Sequence, residues 1–202
     1  MNNKRSRYII DVIFITIQLI CIIGLFTYGS YDYMRMAIDN LIFWIIYMIF
    51  EAKFKWNIPL YVRITAVVAI SSNDFLGEYL NLYVTSFIYD RFQHVFGTYA
   101  MTLWGYFIIQ QIIKVKFTEK TFIGIFIITL SVAFGGFYEL LEFLEDKLYD
   151  PVIKNQPSLL DTDLDLLSDL TGGVIASIHY IVSKRLKSFQ LFFEKTGNQK
   201  KI

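Results

Sequence analysis

Residues 124–146 read GIFIITLSVAFGGFYELLEFLED. The first half is apolar enough to enter a bilayer. The second half carries Glu139 and Glu142 one turn apart, just beyond two adjacent glycines. The rest of the chain decides that this stretch closes a membrane helix. Of the 202 residues 55% are hydrophobic and only 18% charged, where an ordinary soluble domain carries roughly 25% charged residues. The charges are clumped between apolar runs close to the roughly 20 residues that a helix needs to cross hydrocarbon. The expected fold class is therefore all-α. We expect a polytopic membrane helical bundle of about six transmembrane helices with both termini cytoplasmic, a single integral membrane domain over residues 1–202, placed in the cell membrane as a multi-pass protein.

The expected spans are about 8–28, 34–52, 59–80, 90–112, 121–145 and 164–184. In the third, SSND at 71–74 interrupts the apolar character, so that 75–89 could instead lie along the interface. Basic residues set orientation, because cytoplasmic loops retain lysine and arginine. With the N-terminus inside, the inner segments and the tail from Lys184 onward hold 15 of the 19 basic residues. The outer side keeps Arg35, Arg91, Lys147 and Lys154. An odd number of spans would destroy this asymmetry. Lys4, Arg5 and Arg7 precede an apolar run without a small-residue cleavage site, which reads as a retained first helix. Cys21 is the one cysteine, so no intrachain disulfide forms.

Acids crowd the opposite side: 12 of the 18 fall at or just below the outer face, an excess that the basic-residue rule does not explain. Three spans carry polar pairs on single helical faces: Asp90 with His94, Glu139 with Glu142, and Asp165 with Asp169. At about 1.5 Å rise per residue, Glu139 lies roughly 9 Å below the outer end of its helix, Asp169 roughly 7–8 Å and His94 roughly 6 Å. Glycines stand near every pair, namely Gly97, Gly135, Gly136, Gly172 and Gly173. Small residues let membrane helices approach closely, so these six groups are expected to meet. Several carboxylates in one low-dielectric place cannot all stay ionised alone. Shared protons or a cation must neutralise them, and carboxylates with an imidazole suit a divalent metal ion such as Zn, Mn, Fe or Mg.

Simpler readings stand beside this one. Glu145, Asp146, Asp150 and Asp161 read as solvated loop acids, Arg63 as snorkelling to the inner interface, and His179 as packing. Trp44, Trp56 and Trp104 read as lipid-facing or interfacial, while Asp11 and Asp39 are lone acids without a partner in the sequence. Interhelical hydrogen bonds that merely hold the bundle could also use the polar pairs.

At YDRFQH, FYELLE and DLLSDLTGG together, over roughly residues 70–180, the chain resembles the uncharacterised YjdF-like inner-membrane proteins and, more distantly, the VanZ-like proteins. The resemblance implies a small helical membrane protein with acidic and His motifs. Asp90 and His94 match an Asp-x-x-x-His element, Glu139 and Glu142 a paired-acid helix, and Asp165 and Asp169 with Gly172 a closing Asp-rich helix. VanZ-like members usually place Asn where Asp169 stands. The YjdF-like side often has a His near NDFLGEYLNLY, where this chain has Asp74.

Three functions are compatible with these residues. The first is a divalent-metal site near the outer leaflet, in which Asp90, His94, Asp165 and Asp169 bind the metal and Glu139 and Glu142 are the catalytic acids. Membrane lipids are the surroundings, and a lipid-linked or envelope substrate would fit the depth of the site. The second is a cation or proton-coupled transporter, since intramembrane acids mark such routes. The third is a non-catalytic stress-resistance or partner protein with a structural polar core. There is no G-x-S-x-G, P-loop or dinucleotide fingerprint. Topology accounts for the basic segments, so nucleic-acid binding is not called for.

Overall fold

The computed structural model describes residues 3–86, 88–113 and 118–199, with side chains described as far as residue 183. All regular structure among them is helical. The elements are α1 (Asn3–Tyr28), α2 (Tyr31–Phe54), α3 (Leu60–Ser71), a π-helical segment (Ser72–Tyr79), α4 (Leu82–Thr85), α5 (Tyr89–Ile113), α6 (Lys120–Leu148) and α7 (Leu159–Gln199). Among the described residues, four helices are long and apolar enough to cross a membrane: Lys4–Tyr28, Tyr31–Phe54, Lys120–Leu148 and Leu159–Ser183. α5 has the length, at 25 residues, but is less apolar, with Asp90, Arg91, Gln93 and His94 near its start and Gln110 and Gln111 near its end. The SSND stretch does not end the third helix. It changes the winding, and Leu80 N–H reaches back five residues to the Phe75 carbonyl.

Local chemistry sets the turns. Gly29 takes φ +73°, which only glycine adopts without strain, so α1 and α2 are joined by two residues and run antiparallel. α2 stops at Lys55 in the left-handed conformation, with its N–H on the Glu51 carbonyl. Pro59 then sets the entry to α3. The centre of the bundle is α5, packed on α3, α6 and α7, while α1 packs on α2, α3 and the π segment. Arg7 Nη2 donates to Asn57 Oδ1 and to the Ile58 carbonyl, both at 2.6 Å, and the Asn57 N–H donates to Gln111 Oε1. The start of α1, the α2–α3 connection and the end of α5 therefore share one end of the bundle. Toward the other end, the Arg35 guanidinium lies 3.6 Å above the Tyr149 ring, joining the start of α2 to the end of α6.

The core is aromatic-rich, with Phe14, Trp44, Tyr47, Leu103, Trp104 and Tyr106 packed in one cluster. Many apolar side chains instead face outward, among them Ile9, Ile20, Ile23, Ile46, Phe122 and Ile125. Apolar surface of this extent needs a lipid or protein cover.

Two sequence expectations are overturned here. Trp44 and Trp104 are buried, not lipid-facing. Arg63 does not snorkel. It is 1% exposed and paired with Asp11, its Nη2 lying 2.6 and 2.7 Å from the two carboxylate oxygens. Its Nη1 donates to Glu51 at 2.7 Å and to the Tyr47 hydroxyl at 3.1 Å, and Trp44 Nε1 also donates to Asp11. Asp11 thus has its partner 52 residues away. The planar fork of the guanidinium meets a carboxylate with two parallel hydrogen bonds, which offsets part of the cost of burying it. His179 packs as expected, stacked on Tyr99 and hydrogen-bonded to its hydroxyl at 2.6 Å.

Candidate functional site

The three polar pairs come from α5, α6 and α7, and the structure brings most of them together. His94 is the hub. Its Nδ1 lies 3.2 Å from Asp169 Oδ1, and its Nε2 lies 3.5 Å from Asp165 and 3.7 Å from Asp90. Asp169 also accepts the Thr98 hydroxyl, and its backbone carbonyl accepts Ser131 Oγ at 3.0 Å. Ligating atoms of His94, Glu139 and Asp169 lie within 4.8 Å of one another, as do those of Asp90, His94 and Asp165.

Glycine makes this convergence possible at three of the five expected positions. A Cβ on Gly135 would strike the Asp169 carboxyl, one on Gly173 would strike Ser131, and one on Gly172 would strike the Val95 carbonyl. Gly136 meets nothing within 4 Å and Gly97 meets only the end of Gln93 at 3.8 Å, so neither is a contact glycine.

The two triplets differ electrostatically. Arg91 already offsets part of the charge of the outer one: its Nη1 donates to Asp90 at 2.8 Å and to Asp165, while its Nη2 donates to Asp161. This clasp ties α5 to the first turns of α7. Asp161 is therefore an ion-pair partner, not a free loop acid. No lysine or arginine pairs with the inner triplet among the described residues, and His94 alone offsets Glu139 and Asp169. Glu139 accepts Gln156 Nε2 at Oε2 (2.7 Å), leaving Oε1 buried without a partner. Asp169 Oδ2 is likewise buried and unpartnered. Glu139 is 5% exposed and Asp169 1%. An unmet acceptor on a buried carboxylate is costly unless a proton or a cation meets it.

Glu142 is not among the grouped ligands. It lines a cavity of about 580 Å³ between α2, α5 and α6, together with His94 and Asp169. Most of the remaining wall is apolar, including Phe43, Met101, Trp104, Phe134 and Leu141. Glu145 lines the same cavity, and Asp39 stands in the opposite wall. Asp146 organises the connection after α6, its two carboxylate oxygens accepting the N–H groups of Asn155 (2.9 Å) and Gln156 (3.0 Å). The loop so held places Gln156 on Glu139. Glu145 and Asp146 are thus wall and anchor, whereas Asp150 stays exposed beside Lys154 as expected.

Sequence reading missed Arg91, Thr98 and Gln156 as members of the site. Asp161 was detectable, because Asp161, Asp165 and Asp169 continue one spacing of four. Beyond the neighbouring Asp90, nothing local marks Arg91, whose partners on α7 lie 70 and 74 residues downstream.

Fold and site together define a class: a protein whose described residues form helices only, four of them long and apolar enough to cross a membrane, with a buried His–carboxylate cluster where three helices meet. The chain belongs to the family described as "Predicted membrane protein (DUF2238)", which matches residues 10–185. It is also 28% identical over 125 residues to an uncharacterised protein of Thermotoga maritima, covering 61% of this chain and 64% of that one. The match therefore spans just under two thirds of the relative's length. No solved structure matches.

Proposed function

We propose that this is a six-span envelope protein with both termini on the cytoplasmic side, whose His94, Glu139 and Asp169 hold a divalent metal at the polar end of an apolar cavity. One observation carries the metal: two buried carboxylate oxygens, Glu139 Oε1 and Asp169 Oδ2, lack any partner beside the one imidazole. One nitrogen and two carboxylates suit Zn, Mn or Fe, and three protein ligands leave a position for water or substrate. In this assignment Glu139 acts as a ligand, while Glu142, facing the cavity, is the acid–base group. Asp90 and Asp165 hold Arg91 instead of the metal. A bound metal would polarise an acyl or phosphoryl oxygen or activate water. The apolar wall suits the tail of a lipid-linked substrate.

The end-to-end arrangement supports the topology. Arg7 and the α2–α3 connection, flanked by Lys53 and Lys55, share one end with the close of α5. Arg35 and Arg91 sit toward the acidic end. Lys114, Lys116, Lys200 and Lys201, counted on the inner side from sequence, lie outside the described residues.

Elemental analysis of purified protein tests the site. We expect a bound divalent metal in the wild type and its loss in His94→Ala and Asp169→Asn; wild-type protein free of metal after reloading would refute the assignment. Turnover of phospholipids or polyprenyl phosphates should fall about 10²–10⁴-fold in Glu142→Gln, the usual worth of general acid–base catalysis. One observation favours a second reading, a cation pathway: Asp39, Glu142, Glu145 and Asp169 line one cavity. Metal or proton flux into proteoliposomes, without turnover of any lipid, would establish it. Loss of thermal stability alone in all these variants would leave a structural polar core.

A further inference from the structure

A second acidic cluster lies on the π-helical segment. Asp74 is fully buried and Glu78 is 3% exposed. Three amides converge on Asp74: Gln18 Nε2 donates at 2.6 Å, Asn40 Nδ2 at 2.8 Å and Asn73 Nδ2 at 2.9 Å. Asn73 Nδ2 also donates to Glu78 Oε1 at 3.0 Å. The winding makes this bridge possible. In a π-helix the i→i+5 hydrogen bond puts residues five apart one turn from each other, and Asn73 and Glu78 are five apart.

Among the described residues, the other buried acids each have a basic group nearby: Asp11 pairs with Arg63, Asp165 with Arg91 and Asp169 with His94, and Glu139 has a carboxylate oxygen within 4.8 Å of His94. Asp74 and Glu78 form no ion pair with a lysine, arginine or histidine among the described residues. Two further atoms there are without partners. Glu78 Oε2 is one, and the other is Oε1 of Gln18, a fully buried residue whose amide points into the cluster. A primary amide offers an oxygen and an NH₂ on opposite sides. Turned over, Gln18 would present Oε1 where its Nε2 now meets Asp74.

We propose that Asp74 and Glu78 bind a second cation through oxygen alone, with the amide oxygens of Gln18 and Asn40 as further ligands. Carboxylates with amide carbonyls and no imidazole or thiolate select hard ions of the calcium, magnesium or sodium class. This separates the site from the His94 centre, whose nitrogen favours transition metals. Asn40 and Asn73, which both donate to Asp74, also line the cavity that holds His94 and Asp169. An ion here would pin α1 and α2 to the π segment, and so set the wall facing the His94 centre.

Chelator-treated, full-length protein in detergent is titrated calorimetrically with CaCl₂, MgCl₂ and NaCl in turn, with thermal unfolding as the parallel readout. We expect at least one of these salts to give a saturable event and raise Tm. That event should persist in His94→Ala, which keeps it distinct from the transition-metal reading, and vanish in Glu78→Gln and Asp74→Asn. Gln18→Leu keeps both carboxylates and should weaken affinity about 10–100-fold, on the scale seen when a supporting group of a metal site is removed. The proposal is overturned if no salt gives a saturable event in the wild type, if the event survives Glu78→Gln, if it is lost only in His94→Ala, or if Gln18→Leu leaves affinity unchanged. A Tm that rises on acidification and ignores all three salts also overturns it, a shared proton then neutralising the pair.

Discussion

Arg63→Met should destabilise the bundle by about 3–5 kcal/mol, the usual cost of stripping one partner from a buried ion pair. The side chain is 1% exposed, so water cannot replace it. Its removal leaves the Asp11 carboxylate facing Trp44 Nε1 alone and takes from Glu51 a donor at 2.7 Å. Arg7, 3.6 Å from Glu51, remains as a partial counter-charge for that acid. Asp11 has none. Combining Asp11→Leu with Arg63→Met should recover part of the loss, because the cost lies in the orphaned charge more than in the missing attraction. Denaturation of purified protein, followed by tryptophan fluorescence, measures both. If the double variant is no more stable than Arg63→Met, the orphaned Asp11 charge is not the source of the loss.

Gly172→Ala is the second large effect, and it links stability to the site. The added methyl group meets the Val95 carbonyl oxygen and, at 3.0 Å, the Tyr99 backbone nitrogen. These are backbone atoms of α5, so no rotamer change relieves the clash and α7 must move away. Overpacking of this kind costs about 1–3 kcal/mol. Because Asp169 lies one turn before Gly172 and reaches His94 at 3.2 Å, the same displacement should weaken metal retention. Gly136→Ala is the control. Open space surrounds that position, and alanine is favoured over glycine inside a helix by up to about 1 kcal/mol. Gly136→Ala should therefore leave both stability and metal content unchanged or slightly improved. If Gly172→Ala matches Gly136→Ala in both readouts, close approach of α5 and α7 does not build the site.

The pairing of polar groups along each helix was legible in the sequence, but the direction in which a helix faces was not. Hydrophobic runs gave the long helices, and spacings of three and four put Asp90 with His94 and Asp165 with Asp169 on the right faces. Azimuth failed for a physical reason. In a soluble helix the polar face points outward, but in a membrane helix both the lipid side and the packed side are apolar. Nothing in the local pattern then says that Trp44 faces inward, or that Arg63 turns to Asp11. The acids of the π segment were missed for another reason: SSND and GEY look like a chain leaving the helix, and only the changed winding keeps them in the bundle. Gly97 and Gly136 show the converse, since glycine beside an acid is no contact unless the azimuth also agrees.

The Arg91 clasp has a consequence for the order in which the protein is made. Translation delivers the N-terminal part first, so Arg91 and His94 leave the ribosome about 70 residues ahead of Asp161, Asp165 and Asp169. Until then the guanidinium and the imidazole lack most of their counter-charges. The final long helix carries four aspartates in its first eleven residues, three of which meet basic groups made earlier in the chain. A nascent chain arrested before Leu159 would hold neither the clasp nor the His94 centre.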